Sequence, residues 1–245
     1  MIMMNAVIYL VLFATVLASG SLVFLIRRDD QKLLKLLLAF SGAFLIGISF
    51  LILVPEVFSK PAPLAGLFVL VGFLIQLVLE LITEGAEHGH KHVHKEGEKT
   101  APWLLLTGLC IHAFLEGMPL VSRFATEVQH SLVLGIVVHN IPISLTLMGL
   151  FMHYGCKTGK AFVYLGIFAL MTPLGSLAGI AIESSVSASL DLFFTYSMAV
   201  VIGIFLHVST SILFETEEHH KYNLQKFITV CLGLLVAFGI SLLAH

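Results

Sequence analysis

Eight apolar runs, each close to the ~20 residues that carry a helix across a bilayer core, occupy most of this chain. They lie at roughly 6–26, 33–55, 64–83, 102–121, 130–152, 161–182, 191–213 and 225–243. Backbone amides in hydrocarbon must be satisfied within their own segment, so runs of this length fold as α-helices. The expected fold is therefore an all-α polytopic membrane protein of eight transmembrane helices, one transporter-sized domain over residues 1–245. Hydrophobic residues make up 58% of the chain against 11% charged, with a mean hydropathy of +1.01. That leaves too little polar surface to cover a water-soluble globule. The net charge is −2, and the charges sit between apolar runs rather than in a basic patch, which argues against a nucleic-acid partner. Cys110, Cys156 and Cys231 are far apart and form no C-x-x-C pair, so neither a disulfide framework nor a thiolate zinc site is indicated.

The positions of the basic residues orient the spans, because Lys and Arg are retained on the cytoplasmic side. One set of connections holds Arg27, Arg28, Lys32, Lys35, Lys91, Lys95, Lys99, Lys157, Lys160, Lys221 and Lys226, eleven of the thirteen basic residues. The alternate set holds only Lys60 and Arg123. Eight spans with both termini outside explain this division, and a miscounted span would scramble it. Ala18-Ser19-Gly20 imitates a signal-peptide cleavage site, but no basic residue precedes the first run and Arg27-Arg28 follow it, which suits an uncleaved first span.

The connection between spans three and four, residues 84–101, is longer than the rest and falls on the cytoplasmic side. It carries His88, His90, His92 and His94 among Glu87, Glu96 and Glu98. Such a tract cannot pack a core; it is either a solvated linker or a captor of a borderline metal ion through its imidazoles. Glu217-Glu218-His219-His220 forms a smaller cluster on the same side.

Ionisable groups inside spans are costly, about 2.5 to 3.5 kcal/mol at a helix centre, and so mark function. Span four carries His112 and Glu116, whose i, i+4 spacing puts both on one helix face. Span five carries His139-Asn140-Ile141-Pro142 at similar depth. If the two faces meet, two imidazoles and a carboxylate converge into a ligand set for a first-row divalent ion. Pro119, Pro142 and Pro173 each remove a backbone donor and suggest broken helices near the site. The opposing reading is a structural His112–Glu116 pair that holds the bundle together. His207, beside Ser209, Thr210 and Ser211 in span seven, is a candidate exit or second-site ligand. Glu56, Glu80 and Glu215 fall near helix ends and read as solvated.

These residues resemble the ZIP (Zrt/Irt-like, zinc/iron permease) family of metal transporters over nearly the whole chain. The family's span-four motif, His-Asn-x-Pro-Glu-Gly, is similar to His112-Ala113-Phe114-Leu115-Glu116-Gly117, keeping the His, Glu and Gly. Its span-five motif, His-Glu-x-Pro-x-Glu, is similar to His139-Asn140-Ile141-Pro142-Ile143-Ser144, keeping the His and Pro but neither acid. Leu53-Val54-Pro55-Glu56 and Pro173-Leu174-Gly175 look like the family's span-two ending and span six. The resemblance implies divalent metal transport into the cytoplasm by alternating access, with His112, Glu116 and His139 as ligands and Asn140 and Ser144 at ligand positions with weaker groups. It implies no cofactor beyond the transported ion, zinc first and iron second, and an inverted repeat relating spans one to three to spans six to eight. With a carboxylate and the span-four Asn lost, at most one tight site per protomer is expected.

Two other functions compete: an intramembrane zinc hydrolase, which lacks an H-E-x-x-H pair or a third strong ligand within a span, and a degenerate relative that senses metal or serves as a structural subunit. Short loops and the lack of a targeting extension favour a bacterial inner (plasma) membrane, and a homodimer is the assembly considered beside the monomer. Zinc affinity is expected to fall as the pH drops through about 6.5, the reference value for histidine, because a protonated imidazole cannot ligate; a zinc titration across pH checks this.

Overall fold

The computed structural model describes residues 2–25, 31–83, 101–120, 124, 126–185, 190–214 and 224–243. Within them each expected span is a helix, and no strand occurs. The rods are α1 (Ile2–Ser21), α2 (Gln31–Ile48), α3 (Ala65–Ile82), α4 (Ala101–Gly117), α5 (Thr126–His153), α6 (Thr158–Ser185), α7 (Leu190–Phe214) and α8 (Leu224–Leu243). α2 runs on through a π-helical stretch, Ser49–Leu53, into a last turn, Val54–Phe58. Seven rods are long and apolar enough to cross a bilayer, and Trp103–Gly117 of α4 is a shorter apolar helix. The protein is an integral multi-pass membrane protein.

The most extensive helix pairs are α3 with α7, α2 with α8, α4 with α6, and α1 with α5. Each joins spans of the same parity, which in an eight-crossing chain must run in the same direction, and their registers do. On α3 and α7, Phe68 stacks on Tyr196 at 4.4 Å near the helix starts, while Ser211 reaches Glu80 near the ends. On α4 and α6, Trp103 meets Tyr164 at 4.5 Å and the Ser176 hydroxyl donates to the Leu120 carbonyl beyond the other end. On α2 and α8, Gly233 lies against Phe40 and Gly47 against Ala237. Exchange α1 with α6, α2 with α7, α3 with α8 and α4 with α5, and the α3·α7 pair becomes α8·α2 while α4·α6 becomes α5·α1. The further α1·α6 and α2·α7 contacts map onto themselves. The α2·α5 contact does not follow the exchange, since its counterpart α4·α7 is far slighter.

Apolar burial cannot drive helix association in lipid, so close backbone approach must. Glycines supply it in the two pairs that flank the polar site. A Cβ on Gly72 would run into the Val200 carbonyl and one on Gly203 into the Val69 carbonyl; on Gly117 it would meet the Thr172 carbonyl and on Gly175 the Phe114 carbonyl. α2, α5 and α7 form the interior, and α1, α3 and α8 turn most of their surface outward. α5 links two apolar clusters, with Leu132 and Ile136 in one and Ile143, Leu147 and Phe151 in the other. His139 and Asn140 sit on the stretch between them.

The expected helix breaks are absent at two prolines: α5 continues through Pro142 and α6 through Pro173. α4 ends at Gly117, so Pro119 lies beyond it. The irregularity falls instead in α2. There the Val54 N–H bonds to the Ser49 carbonyl just before Pro55, whose ring would clash with the carbonyl four residues back in a regular helix.

Gly203→Leu should destabilise the bundle by at least the ~1–3 kcal/mol typical of overpacking, because the obstacle is backbone. Gly166→Ala, where an added Cβ meets nothing within 4 Å, should be nearly neutral. Thermal unfolding of both variants in detergent checks the contrast.

Candidate metal site

α4 sets His112 and Glu116 one turn apart, and no other geometry is needed to bring them together: His112 Nε2 lies 2.9 Å from Glu116 Oε1. α5 brings His139 against them, its ring 5.7 Å from the His112 ring and tilted by 66°. One ligand atom from each of the three lies within 4.8 Å of the other two. Tetrahedral ligand atoms at zinc bond lengths are about 3.4 Å apart, so small side-chain shifts would close the set on one ion. His112, Glu116 and His139 are 1%, 0% and 2% exposed. Three ionisable groups are therefore fully enclosed between helices.

A carboxylate removed from water costs several kcal/mol unless something offsets it. Neither oxygen of Glu116 receives a hydrogen bond, and the close approach of His112 Nε2 lacks hydrogen-bond alignment. A buried carboxylate facing two imidazoles without a donor suits a cation as its missing partner. The far sides of the rings are held: His112 Nδ1 lies 2.9 Å from Gln76 Oε1 of α3, and His139 Nδ1 lies 3.2 Å from Ser41 Oγ of α2. Backing of this kind fixes ring orientation and leaves the Nε2 side to the site.

The other candidates fall into separate places. Asn140 is buried and its Oδ1 has no hydrogen-bond partner, so it keeps an oxygen to offer. The Ser144 hydroxyl donates to the Asn140 carbonyl at 2.6 Å, which commits its proton to the helix backbone. His207 stands apart from the trio. Its Nδ1 is 3.3 Å from Glu80 Oε2, and Phe73 lies against its ring at 4.7 Å. Glu80, read from sequence as solvated, is instead partly buried and also accepts a hydrogen bond from Ser211 at 3.2 Å. Glu56 is exposed to the same degree as Glu80 and lies 3.0 Å from Lys60. The loop histidines His88, His90, His92 and His94, with Glu215 and the 217–220 cluster, lie outside the described residues. Cys110, Cys156 and Cys231 are free.

Sequence reasoning passed over Gln76 and Ser41. Gln76 had one signal, an amide alone in the apolar run Gly72-Phe73-Leu74-Ile75-Gln76-Leu77-Val78-Leu79, and it is 1% exposed.

The family model described as ZIP zinc transporter matches residues 4–102 and 83–241, nearly the entire chain. Among curated relatives, zinc transporter ZIP10 of Danio rerio is 26% identical over 155 residues, covering 60% of this chain and 18% of its own length. Zinc transporter foi of Drosophila melanogaster is 27% identical over 144 residues, 58% of this chain and 20% of that protein. Human zinc transporter ZIP10 is 28% identical over 151 residues, 57% and 18% respectively. The matches thus span a fifth or less of these much longer relatives.

If the site lacks only its cation, Glu116→Gln should leave the metal-free protein at least as thermostable as wild type. Zinc at one hundred times its Kd should stabilise wild type by about 2.7 kcal/mol and the variant by far less. Thermal shifts with and without zinc measure both.

Proposed function

Because this chain belongs to the ZIP zinc transporter family, we propose that it moves a divalent metal ion, zinc ahead of iron, across the membrane into the cytoplasm. The midplane stop is His112, Glu116 and His139, with Asn140 able to add an oxygen and Ser144 a weaker one. The observation that carries this reading is the enclosed trio with an undonated carboxylate at its centre. Two nitrogens and one carboxylate oxygen suit Zn²⁺ or Fe²⁺. With neither acid of the family's span-five motif present, one ion per protomer is the capacity. The resting place is then strong enough to select a cation and short of the charge that would trap it.

Alternating access fits the pairing of the helices. Two structurally exchanged halves with a site between them allow one set of rods to rock against the other. The charge asymmetry of the loops sets the direction, placing the Glu80 end of α3 and the Ser211 end of α7 inward. Glu80 and His207 then serve as a second stop on the way out, and His88, His90, His92 and His94 receive the ion in the cytoplasm. A bacterial inner membrane is the location that the short loops favour, and a homodimer is the assembly to look for. The hydrolase reading is set aside, since the family is one of transporters.

In liposomes, purified protein should take up Zn²⁺ in preference to Mn²⁺ and Cd²⁺, with Fe²⁺ second. His112→Ala, Glu116→Ala or His139→Ala should reduce uptake at least tenfold. A folded wild-type protein that transports none of these ions would instead support a degenerate metal sensor or structural subunit.

A further inference from the structure

We propose that Gln76 is a positioning residue for the midplane site: a neutral clamp that fixes the tautomer of His112 and keeps its hold on the cation weak enough for release. The inference rests on the transport reading above and deepens it.

A neutral imidazole carries one N–H, and which nitrogen bears it depends on what the other side of the ring meets. Gln76 Oε1, an acceptor only, lies 2.9 Å from His112 Nδ1 inside the protein. That contact places the hydrogen on Nδ1 and the lone pair on Nε2, the atom 2.9 Å from Glu116 Oε1. The approach itself lacks hydrogen-bond alignment; with Nε2 bare, both atoms bring lone pairs to the site, which a cation can take up. In the opposite tautomer Nε2 would carry the hydrogen, and the ring could not ligate through it without shifting that proton. The contact between Ser41 and His139 is longer, 3.2 Å, and a hydroxyl can donate or accept, so it leaves the tautomer of His139 open. Control of the proton position therefore falls on α3 and α4.

The chemistry of the clamp matters as much as its direction. Carboxylates behind a ligating histidine raise its basicity and tighten its bond to metal. Here the backing group is an uncharged amide, while the carboxylate on the same face of α3, Glu80, sits one turn away against His207. The helix thus offers an acid where the ion would leave and an amide where it must not be held.

The test uses the full chain in nanodiscs and liposomes. In the zinc-free wild type, ¹⁵N spectra of the His112 imidazole should show Nδ1 protonated and Nε2 bare; a dominant Nε2–H form would overturn the proposal without any variant. Gln76→Leu should raise the zinc Kd by about 10- to 100-fold and mix the tautomers. Gln76→Glu should restore the single tautomer and lower the zinc Kd below wild type, and in uptake should lower KM and maximal rate together. An unchanged Kd in Gln76→Leu, or equal weakening in both variants, would overturn the clamp. Those results leave the site intact, whereas wild-type zinc affinity in His112→Ala would remove the site on which the clamp depends.

Discussion

The burial of Glu116 is the constraint on which the arrangement of this protein turns. A carboxylate enclosed between apolar helices cannot rely on water, and its Coulomb interactions are strong because the surroundings are poorly polarisable. Its neighbours are arranged to face it without donating to it: His112 one turn back on the same helix and His139 across from α5. The bundle thereby encloses a concentrated negative charge among atoms that could hold a metal ion. A fully satisfied network in the same place would be stable and inert.

Everything around the trio supports that exposure of ligand atoms to one another. Gln76 and Ser41 occupy the outer nitrogens of the two rings, so their orientation is held from helices outside the trio. α3 can come this close only because Gly72 and Gly203 allow its backbone to touch that of α7, and α4 is held to α6 in the same manner by Gly117 and Gly175. The pairing of same-parity spans leaves the two helices that carry the trio, α4 and α5, between exchanged partners.

The helix count, the segment positions and the His112–Glu116 pair were all legible in the sequence for one reason: each is a local property. Apolar run length reads out as a span, and i, i+4 spacing places side chains on one face whatever the tertiary context. His139 was legible only conditionally, since meeting α4 requires two helices to pack face to face. Glu80 was misread because closeness to a helix end suggests water, whereas α7 runs alongside and presents His207 and Ser211 to it. The prolines misled in a similar way. Pro142 and Pro173 are carried within continuous helices, while the ladder was disturbed before Pro55.

By itself, then, the sequence determined the class of fold and the identity of the charged groups inside the apolar segments. Hydrophobicity, charge asymmetry and helical period are properties of single segments immersed in a bilayer. Only the tertiary structure decided that α3 stands behind His112, that Ser41 rather than a carboxylate backs His139, and that His207 belongs with Glu80 rather than with the trio. Those choices depend on which helix faces can approach, which is set by glycine positions on two helices at once, and no pattern within one segment records the partner it will meet.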